Sequence, residues 1–491
     1  MTDVAPLPAS LPGDLPTDLL IGGRWRPGGD GGRFAVHDPA TGAVLTEVAD
    51  ATPADGLDAL AAAHEAWPAW QATPPRVRSE VLREVWERVM ARADEFAACI
   101  TAEGGKPLAE ARAETAYGAE FVRWFSEQAV RITGTVRTAP SGANRQLVMR
   151  RGVGPALLIT PWNFPLAMAT RKAAPALAAG CPVVIKPAAY TPLTTLLFAD
   201  VVREVLAERD LPPGVINVVP TTRAAALTDP LLRDPRLRKL SFTGSTEVGR
   251  VLLRGAAHNV LRTSMELGGN APFLVFDDAD LDAAVEGAMV AKMRNAGQTC
   301  VAANRFLVHE DVAEAFAAKL SAAFGGLVVG PGSHEGTTVG PLIRPSAVSF
   351  VEELVGDAVS RGASVVTGGD RPDLAGYFYN PTVLLRVRPE ARVVTEEIFG
   401  PVAPIVTFRD EDEAIALANG TPFGLVAYAY TRDLDRAFRL AERIEAGMLG
   451  INRGLVSDPS APFGGVKSSG LGREGGEQGI EEYLETIYVA I

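Results

Sequence analysis

The chain has 491 residues, 47% of them hydrophobic and 22% charged, which suits a soluble globular protein of roughly two to four domains. Lys and Arg number 47 against 59 Asp and Glu, a formal net charge of −12, which argues against nucleic acid or an anionic membrane as the main partner. Three cysteines are too few and odd in number for a disulfide framework, and none of the five histidines has metal-ligand spacing to another His or Cys, so no metal is expected.

Residues 1–19 carry Pro6, Pro8, Pro12 and Pro16 among acidic residues, without a basic segment leading into an apolar one. A poorly ordered tail with no targeting signal is expected, and the chain reads as cytoplasmic. No run of about 18 apolar residues occurs, so no membrane span is expected. Residues 21–50 suit short strands and turns. The Ala-, Glu-, Arg- and Leu-rich stretches 57–67, 76–101 and 108–131 place apolar residues at helical spacing. From residue 147 the rhythm changes. Strands are predicted at 155–160, 182–185, 215–219, 239–243 and 261–265, with helices at 165–179, 193–208 and 247–257. A second series follows, with strands at 272–276, 305–309 and 364–367 and helices at 281–294, 312–324, 350–360 and 411–419. Such alternation implies parallel α/β layers, and two successive layers imply two lobes with a ligand cleft between them.

Four motifs carry chemistry. Cys300 ends the polar, Gly-containing stretch 294–300 between a helix and a strand. A lone cysteine is more often a packing residue, which fits Cys99 and Cys181, but a loop cysteine is placed to act as a nucleophile. Glu266 enters the Gly268-Gly269 turn; by itself it reads as a solvated turn acid, and beside Cys300 as a general base. Asn163 lies between Pro161 and Pro165, as a turn former or as an oxyanion donor. Gly244, Ser245 and Thr246 sit at a strand-to-helix turn suited to a phosphate, although Ser and Thr there also serve as plain caps. A G-x-G-x-x-G match at 470–475 leaves only 491 − 475 = 16 residues, too few for the βαβ unit that a dinucleotide fingerprint requires.

Read together and in order, Pro161-Trp162-Asn163-Phe164-Pro165, Val184-Ile185-Lys186-Pro187, Phe242-Thr243-Gly244-Ser245-Thr246, Glu266-Leu267-Gly268-Gly269-Asn270, Gly297-Gln298-Thr299-Cys300 and Glu396-Glu397-Ile398-Phe399-Gly400-Pro401 resemble the NAD(P)-dependent aldehyde dehydrogenase superfamily. The likeness runs from about residue 20 to the C-terminus and is most similar to its succinate-semialdehyde branch. It implies an α/β fold with a Rossmann-like cofactor domain (20–130 and 152–266), an α/β catalytic domain (267–470) and a small β oligomerisation element (131–151 and 471–491) in a homodimer or homotetramer. In that element Ile487, Val489 and Ile491 alternate as in a strand.

The resemblance implies roles as well. Cys300 attacks the aldehyde, Asn163 and the Cys300 N–H hold the oxyanion, and Glu266 activates water. Thr160, Trp162, Lys186, Ala189, Gly244, Ser245, Val248, Leu267, Glu397 and Phe399 match cofactor positions. Arg171, Arg294 and Ser457 match positions for the distal carboxylate of succinate semialdehyde, with Arg453 nearby; for each arginine a structural salt bridge is the alternative. Many NAD-preferring members carry Glu where this chain has Ala189, so NADP is expected to be accepted alongside NAD. Ala302 stands where some relatives place a second cysteine, which removes a disulfide switch. Thr221 and Thr222 depart from the family pattern on the adenine side. The competing readings are a glutarate-semialdehyde or other carboxylated-aldehyde dehydrogenase, a thiol hydrolase using His309, and an inactive binding protein.

Overall fold

The computed structural model describes residue 11 and residues 13–491. Two large sheets organise it. The first runs in the order Arg24–Arg26, Leu19–Ile21, Ile216–Val218, Val183–Lys186, Ala156–Ile159, Lys239–Thr243, Arg262–Glu266 and Gly470–Leu471. Its central strands, rich in Val, Ile and Leu, are buried on both faces, as a parallel sheet between helical layers requires. Ala156–Ile159 pairs in parallel with Val183–Lys186 on one side and Lys239–Thr243 on the other. The strand order therefore reverses beside it, and ligands bind such sheets at that reversal, beyond the carboxyl ends of the strands.

The second sheet runs Ser364–Thr367, Thr382–Leu385, Val402–Phe408, Ala303–His309, Ala271–Val275, Val426–Tyr430 and Met448–Ile451. Its core is a separate cluster that includes Phe273, Phe306, Phe316, Tyr428 and Tyr430. A third, three-stranded sheet joins Leu484–Ala490, Arg145–Gly152 and Thr135–Thr138, all antiparallel.

Most predicted elements recur within a residue or two. The helices expected at 57–67 and 350–360 are longer, Pro53–Ala72 and Pro345–Ser360, and the stretch expected at 76–101 is two helices, Pro75–Ala91 and Ala93–Gly104, broken at Arg92 (φ −105°, ψ 22°). No Gly or Pro marks the break, which is held by a pairing of the Arg92 guanidinium with Glu95 at 2.7 Å. The expected tail is shorter than 1–19. Leu15 packs against the core, Asp18 pairs with Arg33 at 2.8 Å, and Leu19 starts a buried strand. Residues 1–10 and Pro12, part of that expectation, lie outside the described residues. Among the described residues no helix is long and apolar enough to cross a membrane.

Candidate active site

The sequence motifs converge at the carboxyl edge of the first sheet. Trp162 and Asn163 follow Ile159, Lys186 ends its own strand, Gly244 and Ser245 follow Thr243, and Glu266 lies directly opposite Thr243 in register. Cys300 arrives from the other side, on the loop that precedes Ala303–His309. Two glycines permit the approach. A Cβ on Gly269 would stand 2.6 Å from the Cys300 carbonyl oxygen, and Gly297, at φ +77°, would bring one 2.2 Å from the Gly400 carbonyl oxygen. Glycine is the residue that tolerates both demands.

Cys300 is half-buried, whereas Cys99 and Cys181 are fully buried. Burial pushes the Cys300 thiol up to about 12; Arg171 pulls it down, and Glu397 and Glu266 push it further up. Cys300 lines a narrow open cleft together with Asn163, Phe164, Arg171, Arg294 and Ser457. The three residues matched to the distal carboxylate thus share one wall system with the thiol. Arg453 is exposed and does not line it.

The two arginines are not equivalent. Arg171 is buried, ion-paired through Nε with Glu474, and stacked 4.0 Å from the centroid of the Phe463 ring. Arg294 is half-buried, has no carboxylate partner among the described residues, and lies 5.5 Å from the Phe164 ring centroid. The structural salt bridge therefore holds for Arg171, which still faces the cleft, and not for Arg294.

The Asn163 amide donates one N–H to the Gln298 carbonyl at 3.1 Å, leaving its second N–H for another acceptor. Glu266 is buried and neither of its oxygens has a hydrogen-bond partner. Burial first, then Glu474, pushes its carboxyl well above the usual range, against Arg171, Lys172 and Arg473. A carboxyl kept uncharged by burial is poised to take a proton once ionised.

The cofactor positions suit an anionic dinucleotide. Ser245 caps the helix Thr246–Ala256, accepting from the Val248 N–H at 3.4 Å. Amides at such an N-terminus favour phosphate. The buried Lys186 ammonium donates to the Pro187 carbonyl at 3.2 Å, has no carboxylate partner among the described residues, and is pushed down to about 8 by burial. Ala189, half-buried, brings no carboxylate to it. The hydroxyl of buried Thr160 lacks a hydrogen-bond partner. Trp162 and Phe399 meet edge to face at 5.6 Å. Glu397 accepts the Gly269 N–H at 3.2 Å, and burial pushes its carboxyl up to about 7. Leu267 is buried, with its N–H on the Ser469 carbonyl, while Val248 is exposed.

Sequence reasoning missed two participants. Tyr117 lines the cleft with its hydroxyl against Ser457 and Arg171. Glu474, inside the glycine motif at 470–475, is buried between Arg171 and Lys172. Helical spacing with Glu110 and Glu114 is the one sequence signal that points to Tyr117, and none points to Glu474. The glycine motif itself supplies an edge strand, Gly470–Leu471, against Met265 and Glu266.

A parallel α/β sheet with an anion-ready edge and a buried carboxyl at that edge, facing a cleft lined by a thiol and an amide donor, fits an NAD(P)-linked oxidoreductase. The family model for the aldehyde dehydrogenase family matches residues 25–489. The chain belongs to the aldehyde dehydrogenase family. It is 57% identical over 448 residues to a succinate-semialdehyde dehydrogenase of Paenarthrobacter nicotinovorans, covering 91% of this chain and 99% of that one. It is 49% identical to a glutarate-semialdehyde dehydrogenase of Pseudomonas aeruginosa, covering 96% of each. A solved structure described as an E. coli NADP dependent enzyme superposes with a TM-score of 0.95 at 47% identity, over 97% of this chain and 98% of that one.

Proposed function

We propose that the chain oxidises succinate semialdehyde to succinate with NADP or NAD. The observation that carries this reading is the single cleft shared by Cys300, Arg171, Arg294 and Ser457. A carboxylate leaving water needs charge-assisted donors, and this cleft supplies them. The Cys300 sulfur adds to the aldehyde carbon, and the oxygen that becomes negative is met by the free Asn163 N–H and the Cys300 N–H. A nicotinamide dinucleotide, when bound, supplies the two-electron acceptor. Thr160, Trp162, Lys186, Gly244, Ser245, Val248, Leu267, Glu397 and Phe399 would hold it. Glu266 then takes a proton from the water that hydrolyses the thioester.

The testing experiment is a substrate panel of four- and five-carbon semialdehydes and an uncharged aldehyde of equal length. Arg294→Ala is expected to raise KM for succinate semialdehyde about 10–100-fold and to leave KM for the uncharged aldehyde within about threefold. Equal effects on both would remove the carboxylate role. Arg294 is the cleaner site because Arg171→Ala also takes a partner from buried Glu474. Glutarate semialdehyde is the second reading, favoured by the 49% identical Pseudomonas relative. One methylene is worth only about 1–3 kcal/mol, so relative kcat/KM on the panel decides it. A thiol hydrolase lacks support, since His309 faces the Arg409 carbonyl at 2.9 Å and does not line the cleft.

NADP acceptance follows from the unpaired Lys186 and from Ala189. Ala189→Glu is expected to lower kcat/KM for NADP on the order of tenfold or more through like-charge repulsion, with NAD changed little. A variant that keeps its NADP efficiency would refute the assignment.

We also infer the cofactor, catalytic and oligomerisation regions at 20–130 with 152–266, 267–470, and 131–151 with 471–491. Residues 472–483 serve the site too, through Glu474. Exposed Val136, Met149, Tyr488 and Ile491 on the three-stranded sheet support a homodimer or homotetramer, and a monomer by light scattering would contradict it. Three free cysteines suit a cytoplasmic location.

A further inference from the structure

We propose that Lys106, clamped by Glu114, is a positioning residue for the oxyanion-binding Asn163; this rests on the reading of Asn163 above. Lys106 lies between the helices Ala93–Gly104 and Leu108–Gln128 and is buried. Its ammonium is ion-paired with buried Glu114, donates to the Asn163 backbone carbonyl at 3.0 Å, and stands 3.8 Å from the Phe164 ring centroid. The other Glu114 oxygen accepts the Leu166 N–H at 3.1 Å, a first-turn amide of the helix Pro165–Ala178 that has no partner within its own helix. One buried ion pair therefore grips the backbone on both sides of Phe164. Gly118 eases the grip: a Cβ there would come 3.0 Å from the Leu166 side chain and 3.1 Å from the Ala167 nitrogen, tight enough to push the two helices apart by a few tenths of an ångström.

The same helix also holds the nucleophile loop. Glu110, one turn before Glu114, accepts the Asn295 N–H at 2.7 Å. The Asn295 side chain donates to the carbonyls of Asn163 and Gln298, each at 3.2 Å. Asn295 and Ala296 are both left-handed, at φ +52° and +53°, which costs roughly 1–2 kcal/mol per residue and persists only where the surroundings impose it. Among the described residues, every other side-chain hydrogen bond of the Lys106–Glu114 pair goes to the backbone of 163–167. Burying an ion pair is a poor source of stability, whereas a catalytic group misplaced by about 1 Å can cost on the order of 10²-fold in rate. Orientation is what this arrangement delivers.

The test compares two reactions of Cys300 in the purified full-length protein without cofactor. Cleavage of an activated acetyl ester passes through a tetrahedral oxyanion, and alkylation by iodoacetamide does not. Lys106→Arg keeps the charge and changes its reach to the Asn163 carbonyl. Lys106→Met with Glu114→Gln removes the pair without stranding a buried charge. Both are expected to slow ester cleavage, the double variant by about 10–100-fold, with alkylation within about twofold of the parent. Equal slowing of both reactions, or slowing of neither, overturns the proposal. Asn163→Ala separates the two levels. If it leaves ester cleavage unchanged, the oxyanion reading itself fails; if it slows cleavage while the Lys106 variants do not, only the clamp fails.

Discussion

Cys300→Ala is expected to abolish aldehyde oxidation, with a loss on the order of 10⁴-fold or more, as when other covalent catalysts lose their nucleophile. No other thiol can substitute, because Cys99 and Cys181 are fully buried, and Ala302 stands two residues after the nucleophile. Iodoacetamide should therefore label one site in the parent and none in the variant, read by intact-protein mass spectrometry. The pH dependence follows from the raised thiol. A group pushed up to about 12 by burial is protonated at neutral pH, and its reactive thiolate increases as pH rises. Alkylation without cofactor should accelerate about tenfold per unit between roughly pH 7 and 10, past the ordinary thiol value of about 8.5. A plateau near that value would show a thiol that burial does not control. A variant retaining a tenth of the parent turnover would end the nucleophile assignment.

Glu266→Gln should be the next most severe change, lowering steady-state turnover by about 10²–10⁴-fold while sparing thioester formation. The expected signature is one burst of reduced nicotinamide per Cys300, followed by slow turnover and an acyl adduct visible by mass. The parent's kcat should also fall on the acid side. The Glu266 carboxyl is raised by burial and by Glu474, so it takes up a proton, and stops accepting one from water, at a pH well above the ordinary glutamate value of about 4.3. Gln cannot titrate, so that limb should disappear in the variant. An unchanged acid limb, or loss of the burst together with turnover, would assign water activation elsewhere.

The parallel core of the first large sheet is legible in the amino-acid sequence, and the second sheet in part. The alternation of Val- and Ile-rich strands with helices places them, because strand and helix periodicities are local properties. Residues 163, 245 and 266 stand out because each sits where a strand stops and a turn begins, which is where parallel sheets present functional groups. Strands such as Val402–Phe408 and Val426–Tyr430 escape a reading by pattern, since short apolar runs bury equally well in helices or sheets.

Residue types and their order pointed to the proposed chemistry: one loop cysteine, a carboxyl at a Gly-Gly turn, an amide between prolines, and two arginines matched to a carboxylate. How those groups are held emerges from long-range packing. Glu474 meets Arg171 and Lys172 across 302 positions of chain in the latter case, and Lys106 reaches the Asn163 carbonyl across 57. Neither partnership has a periodicity or motif that announces it. A buried charge must be compensated by whatever the fold brings beside it, and that choice is made in three dimensions. The same holds for the arginines: pairing with Glu474 distinguishes Arg171 from Arg294, although the two look alike in sequence.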